Sequence, residues 1–444
     1  MSVVDPGWIP LAGGRAGAGW ISRVLSHPVG LAVWCVVASF GTYACMYGFR
    51  KPFTAAGFVS EPFGAGMKAW LVGAQLIGYT AAKFLGIRVI AEMTASRRIG
   101  VLLGLIAAAE VSWLLLGLAP RALGWVALFL NGLSLGMVFG LVLGFLEGRR
   151  LTETFMAGLC ASFIVADGFS KSVGLWLLHH KIPEAWMPAV AGLLFAGPLV
   201  VFVEMLRRIP GPTALDLSVR SVRPPLTRAD RIAFLRRHGV GLAFILGGYG
   251  AVTVLRTLRS DFFPELWKGL GGEVDAMQFT RSEAWVGLGI LGIVGLMSFI
   301  RDNWAAFLVG LALSSLGLVV AGGAVLAWPV VGITPLGFMI LFGLGMYLPY
   351  VAVHATVFER LIALTRDRGN LGFLMYVADA LGYLGVIGVM SVRGRVLASG
   401  EVLPWFLRIA WVTALISALA FAVAAVWFLR RRNPGEGARL SDPV

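Results

Sequence analysis

Two apolar stretches of this chain each carry a tyrosine and an arginine seven residues apart: Tyr43 to Arg50 in YACMYGFR, and Tyr249 to Arg256 in YGAVTVLR. Seven residues are two turns of an α-helix, so each pair is predicted to share one helix face. A guanidinium group binds phosphate or carboxylate through two parallel hydrogen bonds. A buried arginine in each half of the chain therefore predicts an anion site between the halves.

Other polar side chains recur at helical spacing within apolar segments, which predicts a polar cavity. They are Gln75, Tyr79 and Lys83; Tyr347, Tyr350 and His354; and Tyr376, Asp379 and Tyr383. The substrate-binding candidates are Arg50, Arg256, Lys83, Tyr43, Tyr47, Tyr79, Tyr249, Tyr350, His354 and Tyr383. Each has a structural alternative, because arginines cap helix ends, lysines snorkel to the membrane surface, and tyrosine or histidine can belong to an ordinary core.

The composition indicates the class of protein. Of 444 residues, 58% are hydrophobic and 14% are charged, whereas soluble domains have roughly 25% charged residues. We predict an all-α polytopic membrane protein with about twelve transmembrane helices. The spans are predicted at 28–58, 67–91, 99–118, 122–147, 155–178, 186–206, 238–266, 282–300, 304–327, 333–360, 370–392 and 404–429.

A basic loop that contains several prolines divides these spans into two sets of six. The predicted organisation is a cytoplasmic segment 1–27, a six-helix bundle 28–206, a basic linker 207–237, a second six-helix bundle 238–429 and a cytoplasmic tail 430–444. Two bundles with matched buried arginines are typical of transporters whose substrate site lies at the midplane between the halves.

Membrane topology explains the net charge of +14. Arginines cluster in the linker and after the last span, and the positive-inside rule puts such segments in the cytoplasm. We therefore predict a bacterial inner-membrane protein with both termini cytoplasmic, and no nucleic-acid partner. We expect a monomer whose partners are the bilayer and a small anionic substrate.

No arrangement of residues in the sequence indicates an enzyme. A phosphate-binding glycine-rich loop with the lysine and hydroxyl of an ATPase is missing. The three cysteines, Cys35, Cys45 and Cys160, lie in apolar segments without metal-ligand spacing. We predict no catalytic residue, metal or cofactor, so transport must use gradients.

Four stretches carry a specific resemblance. MYGFRKPF (46–53), IGYTAAKFLG (77–86) and VLRTLRSDFFPELW (254–267) resemble the first, second and seventh helices of the organophosphate:phosphate antiporters, and LGYLG (381–385) is similar to their eleventh. These antiporters are a branch of the major facilitator superfamily that includes glycerol-3-phosphate and hexose-phosphate transporters. The resemblance implies the major facilitator fold, with phosphate-binding arginines at Arg50 and Arg256 and a binding lysine at Lys83.

Asp167 departs from this resemblance. At a fifth-helix position where the antiporters carry a histidine, this chain has Asp167, and Lys171 follows four residues later. Asp167 is either a proton-coupling group of the cavity or the partner of Lys171 in an intrahelical ion pair. We group Asp167, Lys171 and Asp379 as candidates for proton coupling or gating.

Together these observations predict a secondary transporter that moves an organic anion by alternating access. The resemblance favours a phosphorylated metabolite, carried by exchange or with protons. Two alternatives stay open: a transporter of a non-phosphorylated carboxylate or zwitterion, and a transporter-like sensor of an organic phosphate.

Overall fold

A computed structural model of the protein describes residues 19–58, 66–91, 93, 95–146, 149, 152–211, 228–297, 299–365, 371–397 and 402–431. In this part of the chain all regular secondary structure is helical. Its twelve long helices are α1 (Pro28–Gly48), α2 (Gly66–Ala91), α3 (Ala95–Leu118), α4 (Gly124–Leu135, continued as Val138–Leu143), α5 (Thr152–His179), α6 (Met187–Arg207), α7 (Arg228–Asp261), α8 (Ala276–Met297), α9 (Asn303–Val331), α10 (Pro335–Ala352, continued as a π-helical turn Val353–Val357 and as Phe358–Thr365), α11 (Leu371–Leu397) and α12 (Val402–Arg430). Short helices lie at Trp20–Ser26, Pro52–Ala55, Arg121–Leu123 and Phe263–Gly269.

Nine of the described helices are long and apolar enough to cross a membrane. The other three, α2, α8 and α11, contain charged residues such as Lys83, Glu283 and Asp379, whose side chains are buried inside the protein. Large apolar side chains such as Leu193 of α6 and Val319 of α9 are instead exposed, as expected for a surface that faces lipid. The prediction of a polytopic all-α membrane protein is confirmed.

The helices pack as two bundles of six. In the first bundle α1 packs on α5 and α6, while α4 packs on α2 and α3. In the second, α7 packs on α11 and α12, and α9 packs on α10 and α12. The bundles meet where α5 contacts α8 and where α2 contacts α11. Most of the predicted linker 207–237 and of the predicted terminal segments 1–27 and 430–444 lies outside the described residues.

The first helix ends earlier than predicted. The predicted span 28–58 would place Arg50 inside a helix, but α1 ends at Gly48 and a 3₁₀ helix follows at Pro52–Ala55. The physical reason is Pro52, which has no N–H to donate to the carbonyl of Gly48. Arg50 therefore lies on a turn between two helices, and the prediction of a shared helix face with Tyr43 is wrong.

The seventh and eighth helices begin earlier than predicted. α7 starts at Arg228 rather than at 238, and α8 starts at Ala276 rather than at 282. Both helices begin with polar turns, which a search for apolar residues does not detect. Tyr249 and Arg256 do lie on the continuous helix α7, as the spacing predicts.

Two predicted spans are interrupted helices. Within 122–147 the helix is interrupted by a turn at Gly136 and Met137, and α4 continues from Val138. Within 333–360, α10 passes through a π-helical turn that contains His354. Such turns occur often at functional sites, because the extra residue changes the direction in which a side chain points.

Glycines allow α2 and α4 to cross at very short distance. A Cβ on Gly132 of α4 would lie 2.0 Å from the carbonyl oxygen of Gln75, and a Cβ on Gly78 of α2 would lie 2.0 Å from that of Phe129. No other residue type fits either position without moving a backbone. The Gly-x-x-x-Gly spacing that begins at Gly132 thus serves helix packing.

We predict that Gly132→Ala lowers the free energy of unfolding by about 1–3 kcal/mol, the usual cost of an extra methyl group in a tight contact. The Tm of detergent-solubilised protein checks this. Gly104→Ala on α3 is the matched control, because no atom lies within 4 Å of its added Cβ, and its Tm should stay unchanged or rise slightly. Equal Tm values for the two variants would contradict the close crossing.

Candidate functional site

A polar cavity lies between the two bundles. Its cavity volume is about 10 Å³, which leaves room for about one water molecule between the side chains. Its lining combines aromatic rings with a few charged groups: Tyr43, Tyr47, Tyr79, Lys83, Phe139, Phe163, Arg256, Tyr350, His354, Asp379 and Tyr383. Apolar walls with a few convergent polar groups are typical of a small-molecule site. Most of the predicted substrate-binding residues are therefore brought together, although Phe139 and Phe163 were not predicted.

The two arginines are held by tyrosines. The Arg50 guanidinium lies over the ring of Tyr79, 3.8 Å from its centroid, and that of Arg256 lies over Tyr350 at 4.5 Å. Arg256 Nη2 also donates to the hydroxyl of Tyr383 at 3.2 Å. Because the rings of Tyr79 and Tyr383 pack edge to face, with centroids 5.1 Å apart, two aromatic rings connect the arginines across the bundle interface.

Neither arginine has a neutralising partner in the part of the chain that the structure describes. Among the described residues no carboxylate forms an ion pair with Arg50 or Arg256, and the Nε atom of each is buried without a hydrogen-bond partner. Both side chains belong to residues no more than 6% exposed. A buried guanidinium without a counter-ion is costly, so the site favours an anion. Arg50 itself lies behind Tyr79 and outside the set that lines the cavity.

Hydrogen bonds fix the turn that carries Arg50. The carbonyl of Phe49 accepts from Trp113 Nε1 at 2.7 Å and from Asn131 Nδ2 at 3.1 Å. The carbonyl of Arg50 accepts from Gln75 Nε2 at 3.2 Å. Side chains from three neighbouring helices thus satisfy the backbone groups that the break in α1 leaves unpaired.

The acidic group of the cavity is Asp379. Its Oδ2 accepts from Lys83 Nζ at 2.8 Å, and its Oδ1 accepts from the Tyr249 hydroxyl at 2.8 Å. His354 Nε2 lies 3.7 Å from the same Oδ1. Tyr249 therefore reaches the site through Asp379 rather than as a lining residue, and Lys83 points inward instead of snorkelling to the membrane surface.

Asp167 belongs to a separate buried cluster of charges. It accepts hydrogen bonds from Lys171 and, at 2.8 Å, from Ser260. Lys51 lies in the same cluster, 2.5 Å from Asp261 and 4.0 Å from Asp167. Asp167 is not among the residues that line the cavity, and its carboxylate is paired within this cluster. The ion-pair interpretation of Asp167 fits this geometry.

The sequence reading missed several buried charges near that cluster. Lys68 Nζ lies 2.6 Å from Glu265, and Arg259 Nη2 lies 2.7 Å from Glu283. The sequence does contain a signal for some of these charges. The segments RKPF and RTLRSD place further charged residues close to Arg50 and Arg256 in the chain. Within the described residues no group of three histidine, cysteine, aspartate or glutamate side chains is placed to hold a metal.

Comparison with known proteins identifies a family for this chain. Residues 52–431 match the Family of unknown function (DUF5690). The chain belongs to this family. No curated protein matches this DUF5690 protein.

Solved structures identify the fold. A crystal structure of a D-xylose-proton symporter is similar to the DUF5690 protein with a TM-score of 0.58 and 15% sequence identity, and the match covers 88% of this chain and 96% of the symporter chain. The fold is therefore the major facilitator fold, with twelve transmembrane helices in two six-helix bundles. At 15% identity the likeness shows the fold alone and does not bear on the organophosphate:phosphate antiporters that the sequence resembles.

We predict that Asp167→Asn destabilises the DUF5690 protein by about 3 kcal/mol, because it leaves the charge of Lys171 buried without its carboxylate. The Tm in detergent measures the effect, and adding Lys171→Gln should restore much of the loss. Asp302→Asn is the control, since Asp302 only caps α9 by accepting from the Ala305 amide, a role that asparagine fills equally well. A stable single Asp167→Asn variant would contradict this structural role.

Proposed function

We propose that this protein is a secondary active transporter that moves an organic anion across a membrane by alternating access. The observation that carries the proposal is the pair of buried guanidinium groups, Arg50 and Arg256, which no carboxylate among the described residues neutralises. They come from opposite bundles and meet the same cluster of tyrosine rings. A transporter needs a site between its two bundles, and here that site is cationic.

An anion would complete the contacts that the arginines lack. Arg256 can turn free N–H groups toward a phosphate or carboxylate, and charge-assisted bonds of this kind are roughly twice as strong as neutral ones. The hydroxyls of Tyr43, Tyr47 and Tyr383 offer further donors.

The chemical class of the anion is proposed more narrowly from the resemblance. A phosphorylated metabolite fits two guanidinium groups and Lys83, since both kinds of cation bind phosphate oxygens through charge-assisted hydrogen bonds. A zwitterion or a carboxylate is the second candidate, because the cavity also holds an acidic group, Asp379. A sensor of an organic phosphate would use the same site without transport.

Counterflow into proteoliposomes separates these candidates. Vesicles are loaded in turn with phosphorylated, carboxylated and zwitterionic solutes, and uptake of a labelled solute is followed. Trans-stimulated uptake of phosphate esters alone supports the proposed class, whereas stimulation by zwitterions favours the second candidate. Tight binding without any counterflow would indicate a sensor.

We predict that Arg50→Lys and Arg256→Lys each lower the affinity for the transported anion by roughly 10- to 100-fold, because a lost charge-assisted hydrogen bond costs about 1.5–3 kcal/mol. Competition in the counterflow assay measures affinity. Arg259→Lys is the matched control: it lies on the same helix and lysine can still pair with Glu283. Affinity that both site variants retain would refute the two-arginine site.

We also infer that the protein is a monomer of the bacterial inner membrane and that both termini and the linker 207–237 face the cytoplasm. The residues that line the cavity all come from one chain, so the site is complete without a second subunit. The orientation is supported by the density of arginine in the linker compared with Glu265, Glu273 and Asp275 after α7.

Cysteine labelling tests the orientation. We predict that Leu215→Cys is inaccessible to a membrane-impermeant maleimide added to intact cells and becomes labelled after permeabilisation. Asp275→Cys, on the opposite side, should react in intact cells. The background is low, since Cys35, Cys45 and Cys160 are buried. Labelling of Leu215→Cys from outside would reverse the topology.

A further inference from the structure

Asp379 forms an ion pair across the bundle interface inside the cavity. Lys83, its partner, comes from α2, and a second donor, Tyr249, comes from α7. The residues of all three side chains are no more than 6% exposed. The titratable groups that face Asp379 are Tyr79 and Lys83 of α2, Cys160 of α5, Tyr249 of α7, Tyr350 and His354 of α10, and Tyr383 of its own helix.

The ion pair conflicts with anion binding. Lys83 is one of the cations available to an anion in the cavity, but the carboxylate of Asp379 already neutralises it at 2.8 Å. That carboxylate would also repel an anion held between Arg50 and Arg256. A proton on Asp379 removes both obstacles, because it cancels the repulsion and frees the ammonium group of Lys83.

We propose that Asp379 couples anion transport to protons by exchanging its partner. The inference rests on the proposed anion transport and adds the coupling ion. One proton binds to the carboxylate of Asp379 as Lys83 leaves it for the anion. The same proton departs on the other side of the membrane, when the anion leaves and Lys83 pairs with Asp379 again. For a singly charged anion the step carries no net charge, and a proton gradient drives accumulation.

His354 is placed to deliver the proton. Its Nδ1 lies 3.1 Å from the carbonyl of Tyr350, so we assign the N–H to Nδ1, which donates there. The lone pair of Nε2 then faces the Tyr249 hydroxyl at 3.4 Å and Asp379 at 3.7 Å. The π-helical turn of α10 carries this histidine.

The location of the ion pair also connects protonation to movement. α2 belongs to the first bundle and α11 to the second, so the Lys83–Asp379 ion pair connects the bundles within the cavity when the site is empty. In the loaded state the anion takes over this connection through Lys83 and the two arginines. Proton and anion therefore favour each other's binding, and by linkage the effect is reciprocal.

Binding of a sulfonate to the detergent-purified protein tests the coupling. The probe is the sulfonate analogue of the best solute from the counterflow panel, because its own charge does not change between about pH 5.5 and 8.5. We expect its affinity to fall about tenfold per pH unit above the titration midpoint. At high pH, binding should take up about one proton per sulfonate. Calorimetry measures this uptake, because the observed binding enthalpy then varies with the ionisation enthalpy of the buffer.

Variants assign the effect to Asp379. Asp379→Asn mimics the protonated carboxyl, so its sulfonate affinity should not change with pH and binding should take up no proton. Because this variant leaves Lys83 unpaired, its Tm is measured in parallel. If it does not fold, the double variant Lys83→Gln with Asp379→Asn carries the same expectation. Asp379→Glu is the matched control, which keeps a titratable group and should keep the pH dependence.

The outcomes separate the coupling from the transport. Wild-type affinity that is constant with pH, without proton uptake, would overturn proton coupling and leave anion transport standing. A pH dependence that persists in the Asn variants would overturn the role of Asp379. If no solute of the panel binds or undergoes counterflow at any pH, the anion transporter itself is refuted and the coupling with it.

Discussion

Two guanidinium groups buried without a carboxylate partner impose the main electrostatic constraint on this molecule. Arg50 and Arg256 are 3% and 6% exposed, and a lone charge in such surroundings is expensive. The negative faces of the Tyr79 and Tyr350 rings lower that cost without cancelling the charge. The tyrosine rings therefore allow two cations to stay buried on either side of the bundle interface, with Arg256 in the lining of the cavity and Arg50 against the ring of Tyr79.

The carboxylates are arranged to keep the arginines uncompensated. Each buried acid near the site has another cation as its partner: Asp167 has Lys171, Asp261 has Lys51, Glu283 has Arg259 and Asp379 has Lys83. The pairs differ in which helices they join. Asp167–Lys171 and Arg259–Glu283 lie within one bundle and can move with it. Lys51–Asp261, Lys68–Glu265 and Lys83–Asp379 join the two bundles, so a rocking motion must break or strain them.

The sequence predicts the class of this protein well, because composition and apolar runs report directly on the surrounding solvent. It also predicts which residues are functional candidates, since a charged residue inside an apolar run has few explanations. It does not predict which candidates meet. Periodicity places Asp167 and Asp379 on helix faces, but only packing shows that Asp379 enters the cavity while Asp167 pairs with Lys171. The end of the first helix was predicted wrongly for a local reason. The missing N–H of Pro52 ends the helix even though apolar residues continue around it.

The break in α1 makes the two halves of the site mechanically unequal. Arg256 stands on an unbroken helix, so its backbone moves with α7. Arg50 stands on a short turn between Gly48 and Pro52, where the carbonyls of Phe49 and Arg50 accept hydrogen bonds from side chains of α2, α3 and α4. The backbone of the first arginine is thus tied to three helices besides its own. A change in the packing of those helices therefore reaches Arg50 directly, whereas Arg256 responds to the movement of a single helix.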